Sequence, residues 1–218
     1  MKDTLLIVSG GMDSVTLLHE CKDRIALGLS FDYGSKHNER EIPFARMNCD
    51  ALGIEHILIP LDFINEYFKS DLLKSGGDIP EGHYAAENMR STVVPFRNGI
   101  MLSIATGIAE SRGLKYVFMA NHGGDHAIYP DCREEFIRAI NQAAQTGTAE
   151  GIRIIGPYTA INKTEIARIG KRLGIDYGTQ TWSCYKGGKR HCGKCGTCAE
   201  RREALREANI EDTTLYER

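Results

Sequence analysis

No apolar run in this chain approaches the roughly 20 residues of a membrane-spanning helix, and a membrane role is therefore not expected. Charge of either sign is barely in excess. Lys and Arg number 27 against 29 Asp and Glu, a formal charge of −2, which leaves no general basic field for a long nucleic acid. A small substrate is the expected partner, with no stably bound nucleic acid. The chain enters an apolar strand pattern at Thr4, with no room for a signal segment, so a cytoplasmic location is expected. Repeats and low-complexity stretches are missing. So is a Gly-Lys-Ser/Thr phosphate loop of the Walker type.

What is present is an ordinary globular balance over 218 residues, 42% hydrophobic and 26% charged, enough for one sizeable domain with a small addition. Apolar runs alternate with helical patterns. Strands are expected at 4–8, 25–31, 56–59, 115–120 and 152–155. Helices are expected at 15–21, 36–52, 63–74, 98–111, 133–145 and 163–173, with Gly53, Gly113 and Gly174 as stops. Pro43 is awkward inside the second helix, whose start is expected near it. Residues 75–91 are polar and rich in glycine, and read as a long loop. The alternation predicts an α/β fold with a doubly wound, five-stranded parallel sheet over residues 1–178. Composition shifts after Gly178, and 179–218 reads as a C-terminal metal-binding segment. Ligands are expected at the C-terminal ends of the strands, where 9–14, 32–37, 94–98, 121–133 and 157–163 fall.

The first of these stretches, Ser9-Gly10-Gly11-Met12-Asp13-Ser14, lies between a strand and a helix start. Glycines admit a phosphate close to the backbone, and the free N–H groups of the first helical turn point at it. Asp13 would repel that phosphate unless a cation such as Mg²⁺ lay between them.

Of seven cysteines, Cys184, Cys192, Cys195 and Cys198 form two overlapping Cys-x-x-Cys pairs behind a more distant first thiol. Four thiolates suit a structural, tetrahedral Zn²⁺, with Lys186, Lys189, Arg190 and Lys194 offsetting the charge. Redox pairs, an iron–sulfur cluster and a His191 ligand are the alternatives. Cys21 and Cys49 read as small buried groups, and Cys132 lies near the expected site. His37, His56 and His83 read as surface or structural, Trp182 as packing with a stacking role as the alternative, and Arg201, Arg202 and Arg206 as a solvated helix face.

The 9–14 loop resembles that of the PP-loop ATP pyrophosphatases, which split ATP between the α and β phosphates. Phe31-Asp32-Tyr33-Gly34, Val94-Pro95-Phe96-Arg97-Asn98, Tyr129-Pro130-Asp131-Cys132-Arg133, Asn162-Lys163-Thr164-Glu165 and the cysteine tail narrow this further. With them the chain resembles, almost end to end, the 7-cyano-7-deazaguanine synthase family. It departs at Phe96, where the family usually has Gly, and at Ala127-Ile128, where it usually has Ser-Gly. Phe96 is expected on the pocket wall and Ala127-Ile128 near the bound base.

The resemblance implies a carbon–nitrogen ligase that makes 7-cyano-7-deazaguanine from 7-carboxy-7-deazaguanine and ammonia. The route runs through adenylated carboxylate and amide, in queuosine precursor biosynthesis, with ATP, Mg²⁺ and Zn²⁺ as cofactors and a homodimer as the assembly. It implies ATP binding along Val8, Ser9, Gly10, Gly11, Met12, Asp13, Ser14, Val15, Thr16, Leu17 and Leu18. Asp13, Arg97, Asp125, Asp131 and Lys163 are the implied catalytic groups. Tyr33, Arg97, Asn98, His126, Tyr129 and Asp131 are the implied substrate contacts, and the four tail cysteines the metal ligands. Asp125 and Asp131 are candidates to read the guanine-like edge or hold metal, and His122 and His126 to move protons near the amine. Rival readings are a ligase joining the deazaguanine to a protein amine, a tRNA-thiolating PP-loop enzyme, and a zinc-ribbon module on an ATP-sensing domain.

Overall fold

The structure is a computed structural model that describes residues 2–83 and 87–217; residues 84–86 of the expected long loop lie outside the described residues. Five parallel strands form one sheet in the order β3-β2-β1-β4-β5. They are β1 (Thr4–Ile7), β2 (Ile25–Asp32), β3 (Glu55–Pro60), β4 (Tyr116–Phe118) and β5 (Arg153–Ile155). Between and after them run α1 (Met12–Glu20), α2 (Asn38–Ala51), α3 (Asp62–Tyr67), α4 (Arg97–Ser111), α5 (Glu134–Gly147), α6 (Lys163–Leu173), α7 (Tyr177–Gln180) and α8 (Gly196–Glu207).

Successive strand residues point to opposite faces, so each strand feeds two cores. Leu5 and Val117 join one core with Ile64 of α3, Leu102 and Ala105 of α4, and Ile137 of α5. Leu6 and Phe118 join the other with Leu17 and Leu18 of α1, Ala45 and Cys49 of α2, and Ile166 of α6. This is the expected doubly wound α/β sheet. The strand order reverses between β1 and β4, which opens a crevice between the loops that follow them.

Local sequence explains both ends of α6. Asn162 and Glu165 form a reciprocal capping box on α6, with bonds of 2.9 and 3.0 Å, and Gly174 ends the helix in the left-handed region at φ 75°. Three expectations fail. The helix expected over 63–74 stops at Tyr67, because the chain beyond it pairs with the β2–α2 connection instead. Lys36 N–H donates to the Leu72 carbonyl at 3.0 Å, and Lys74 N–H donates to the Gly34 carbonyl at 2.9 Å. Second, α2 begins at Asn38, well before Pro43. The Asn38 side chain anchors that start, accepting from Ser35 N–H at 2.9 Å and donating to the Phe31 carbonyl at 3.1 Å. Pro43 is tolerated because the carbonyl it deprives of a partner belongs to exposed Glu39.

The third concerns the tail. Arg201 is wholly buried rather than on a solvated face. It donates to the hydroxyls of Thr214 (2.9 Å), Thr181 (2.9 Å) and Ser183 (3.0 Å) and to the Tyr177 carbonyl. One guanidinium therefore ties α8 to α7, to the strand-like 181–184 segment and to the C-terminal stretch. The fork of donors satisfied by neutral acceptors is what makes burial of that charge tolerable.

Candidate functional site

The loop after β1 is built from its own serines. Ser14 Oγ accepts from the N–H groups of Ser9 (3.2 Å) and Gly10 (3.3 Å), and Ser9 Oγ accepts from Gly11 N–H (3.1 Å). Gly10 sits at φ +103°, and a Cβ there would lie 2.1 Å from the Glu41 carbonyl oxygen, so the position requires glycine. No side chain caps α1, so its first-turn N–H groups have no side-chain acceptor at the helix start.

A charged cluster faces this loop. Lys163 Nζ lies 3.2 Å from Asp13 Oδ2 and 2.7 Å from Glu200 Oε2. Burial alone would lower the Lys163 pKa, but the carboxylates of Asp13, Glu200 and Asp125 outweigh it and hold the pKa above its ordinary value. His122 is almost wholly buried at the centre. Its Nδ1 accepts from Gly124 N–H at 3.0 Å, which leaves the proton on Nε2. That nitrogen faces Asp125 at 3.5 Å, Asp13 at 3.8 Å and Glu200 at 3.8 Å. Asp13 Oδ1 is buried and accepts no hydrogen bond among the described residues. Three carboxylates against one ammonium, with one carboxylate oxygen unused, are a donor set that fits a hard divalent cation beside the Ser9–Ser14 loop.

The opposite wall is aromatic and cationic. Arg97, at the start of α4, donates to Tyr33 Oη at 3.1 Å and stacks 5.5 Å from the Tyr33 ring centre. Tyr129, Asn98 and Cys132 continue this wall, and Trp182, Ser183 and Tyr185 close the pocket from the C-terminal segment. The cavity, open at the crevice mouth, is about 210 Å³.

Of the residues singled out from sequence, Val8, Ser9, Gly11, Met12, Asp13, Ser14, Tyr33, Arg97, Asn98, Asp125, Tyr129, Cys132 and Lys163 line this one cavity. The others do not. Val15, Leu17 and Leu18 are core residues, and Thr16 Oγ1 is bonded to the Met12 carbonyl and to Tyr177 Oη. Gly10 packs under the loop, against α2. Asp131 accepts from Asn98 N–H at 2.9 Å and thereby caps α4 from outside its own helix. The His126 carbonyl accepts from Arg133 Nε at 2.9 Å, and its ring stays outside the lining. Phe96 is turned away from the cavity, half exposed in the left-handed region (φ 53°) and edge-on to Phe136 at 5.8 Å. Ala127 is exposed, and Ile128 packs with Met89, Tyr129 and Cys132.

Sequence reading missed His37, Glu41, Trp182, Ser183, Thr197 and Glu200. His37 and Glu41 stand one helical turn apart just past the end of β2, a spacing that puts both on one face of α2. Glu200 and Ser183 carry no such local signal, because they reach the site only when the C-terminal segment folds back onto it.

Cys132 lines the cavity but is not poised to react. Burial first, then Asp125 and Asp131, push its thiol pKa well above the ordinary value. Cys132→Ser should therefore keep the activity of the site within a few-fold of wild type, measured as product formed per chain. A loss as deep as that of a nucleophile variant would overturn the assignment.

The four tail thiols are buried, with their sulfurs all within 4.8 Å of one another, an arrangement that can hold a metal ion. Backbone N–H groups point at them: Cys192 N–H at Cys184 Sγ (3.3 Å) and Cys195 N–H at Cys192 Sγ (3.3 Å). The alternative ligand His191 is used elsewhere, since its Nε2 accepts from Ser183 N–H at 3.1 Å and its ring stacks on Trp182 at 4.2 Å. Among the described residues, no helix is long and apolar enough to cross a membrane.

Comparison with known proteins places these features in context. A family model described as queuosine biosynthesis protein QueC matches residues 3–209. The chain is 67% identical over 216 residues to a 7-cyano-7-deazaguanine synthase of Porphyromonas gingivalis, covering 99% of this chain and 98% of that one. It is 49% identical over 218 residues to the enzyme of the same name from Desulfotalea psychrophila, covering 99% of each. Among solved structures, an NMN synthetase from Francisella tularensis superposes with a TM-score of 0.52 at 12% identity, covering 95% of this chain and 84% of that one, a likeness of fold alone.

Proposed function

The chain belongs to the QueC family of queuosine biosynthesis proteins, and from that membership we propose that it converts 7-carboxy-7-deazaguanine, ammonia and ATP into 7-cyano-7-deazaguanine. A carboxylate is a poor electrophile. Its oxygen attacks the α-phosphorus of ATP, pyrophosphate leaves, and AMP becomes a leaving group that ammonia displaces to give the amide. The amide oxygen then attacks a second ATP in the same way. One proton leaves nitrogen to give the adenylated imidate, and loss of AMP with the second proton leaves the nitrile. No covalent protein nucleophile is needed, so the protein's work is positioning and charge stabilisation.

The observation that carries this reading is that one cavity holds both the Ser9–Ser14 loop and the Arg97–Tyr33 wall. In the proposal the serine hydroxyls and free N–H groups of the loop hold the departing pyrophosphate. Lys163 neutralises charge that builds on the phosphates. Arg97 receives the substrate carboxylate, and Tyr33 and Tyr129 hold the flat ring. Mg²⁺ would be held by Asp13 and Asp125, where it would offset phosphate charge. Zn²⁺ would be held by Cys184, Cys192, Cys195 and Cys198, a closed set that makes it structural. The homodimer belongs to the same reading: sedimentation equilibrium returning twice the chain mass supports it, and the single-chain mass excludes it.

Mass spectrometry of products after incubation with 7-carboxy-7-deazaguanine, ammonium and Mg-ATP tests the proposal. Nitrile together with AMP supports it. Amide without nitrile removes the second activation. Neither product, with ATP still bound, sinks the substrate assignment.

A further inference from the structure

Every N–H bond of the incoming nitrogen must break before a nitrile forms, yet neither histidine suggested for that task is placed for it. His122 uses Nδ1 as an acceptor and turns Nε2 toward carboxylates at the phosphate end, and His126 lies outside the lining. Of the seven histidines, His37 lines the cavity. Its side chain is 6% exposed, and Nε2 lies 3.3 Å from Glu41 Oε2, itself on the cavity wall one turn along α2. Nδ1 is buried and has no hydrogen-bond partner among the described residues. An imidazole whose Nε2–H faces a carboxylate keeps its Nδ1 lone pair available, and the carboxylate stabilises the cation formed when that lone pair takes a proton.

The neighbours locate the dyad. The Tyr33 ring lies edge-on to His37 at 6.4 Å, and the same ring is the one Arg97 stacks on. Arg97, Tyr33, His37 and Glu41 thus form one continuous row along the cavity wall, with a carboxyl-derived group at Arg97 at one end and the His37–Glu41 pair at the other. Tyr185 packs on the other side of His37 at 5.1 Å. The titratable groups facing His37 are Glu41 on its own helix, Tyr33 from the β2 end and Tyr185 from the C-terminal segment. Burial raises the Tyr33 pKa, so that phenol stays neutral. Gly11 lacks a Cβ where Glu41 Oε1 sits, 2.9 Å from the position one would take, so the phosphate loop leaves room for the carboxylate.

We propose that His37, oriented by Glu41, is the base that removes the nitrogen-bound protons, an inference that rests on the synthase reading above. In the first step an N–H bond of ammonium breaks, its electron pair stays on nitrogen, and Nδ1 takes the proton. The ammonia attacks the acyl adenylate, the carbon–oxygen bond to AMP breaks, and a second N–H bond gives its proton to Nδ1 as the amide forms. Once the amide oxygen is adenylated, a third N–H bond breaks to leave the neutral imidate, and its proton goes the same way. In the last step the N–H of the adenylated imidate breaks. Its electron pair forms the third carbon–nitrogen bond, the carbon–oxygen bond to AMP breaks, and the proton again goes to Nδ1. Each proton leaves to solvent between steps.

The two half-reactions separate this role from folding and from the substrate assignment. Adenylation of 7-carboxy-7-deazaguanine needs no base at nitrogen. His37→Asn should keep the first-turnover burst of substrate-dependent pyrophosphate near wild type while amide and nitrile formation at neutral pH fall by about 10²-fold or more. Amide formation by the variant should recover as pH rises toward the pKa of ammonium, where free ammonia is supplied by the buffer. Glu41→Gln should give a smaller loss and a shifted pH–rate profile. If His37→Asn makes amide and nitrile at the wild-type rate across this pH range, the role is overturned. Loss of both half-reactions alike overturns it too, since a structural part then suffices. If the wild-type protein itself makes no nitrile, the synthase reading has failed, and that result is visible before any variant is compared.

Discussion

Lys163→Met is expected to lower nitrile formation by about 10³-fold, at the upper end of what removal of one preorganised charge from a transition state costs. The loss should appear in the adenylation half-reaction, because the charge on the phosphates builds there. Stability should fall as well. Lys163 is the ammonium that lies against Asp13 and Glu200, and removing one partner of a buried cluster leaves carboxylates facing each other at a cost of about 3–5 kcal/mol. The two effects are separable. Lys163→Met with Glu200→Gln removes one negative charge along with the positive one, and should recover much of the melting temperature while activity stays low. Recovery of both would make Lys163 a structural residue. The sign of the pH dependence follows from the raised pKa. The ion-pair contribution is complete below the ordinary lysine pKa and is lost only as pH rises through the still higher folded value. The wild-type rate should therefore show no lysine limb across neutral pH.

Cys198→Ser is expected to abolish metal retention, measured as zinc per chain by mass spectrometry, and to leave a protein that does not melt cooperatively. The magnitude argues for so large an effect. Structural zinc bound by thiolates contributes about 10–16 kcal/mol in small domains, comparable with the whole net stability of about 5–15 kcal/mol of an ordinary domain. The cluster is also not an appendage. Cys184, Cys192, Cys195 and Cys198 belong to the same buried cluster as Leu29, Phe31 and Trp182, and Trp182 and Ser183 just before it line the cavity. Chelation of the wild-type protein should therefore cost activity along with fold. A Cys198→Ser protein that binds no metal yet melts and works like wild type would show that the site carries no structural load.

Much of the molecule was legible before folding was considered. The alternation of apolar runs with amphipathic helices implied the doubly wound sheet, and a capping box with a following glycine marked both ends of α6 within its own residues. The 9–14 loop and the cysteine spacing were legible for the same reason. Their chemistry is carried by residues a few positions apart, so the local chain brings the groups together whatever the rest does. The resemblance supplied what periodicity cannot, namely the implied substrate and the roles of Arg97 and Lys163.

What remained hidden depended on residues distant in sequence. Residues 68–74 have a helical pattern, but backbone pairing with the β2–α2 connection outcompetes one more helical turn. Arg201 looks like any surface arginine in a charged helix, and only the return of Thr181, Ser183 and Thr214 to its side supplies acceptors for its burial. Asp131 reads as a pocket carboxylate from its motif, yet it caps α4 across a separation of 33 residues. The chain alone determined the sheet, the phosphate loop and the thiol set, because each is written within a short stretch. Tertiary structure alone decided which charges are paired, which are buried, and that His37, with Glu41 beside it, lines the cavity while His122 and His126 do not. Burial and pairing are properties of the packed whole, and no local pattern encodes them.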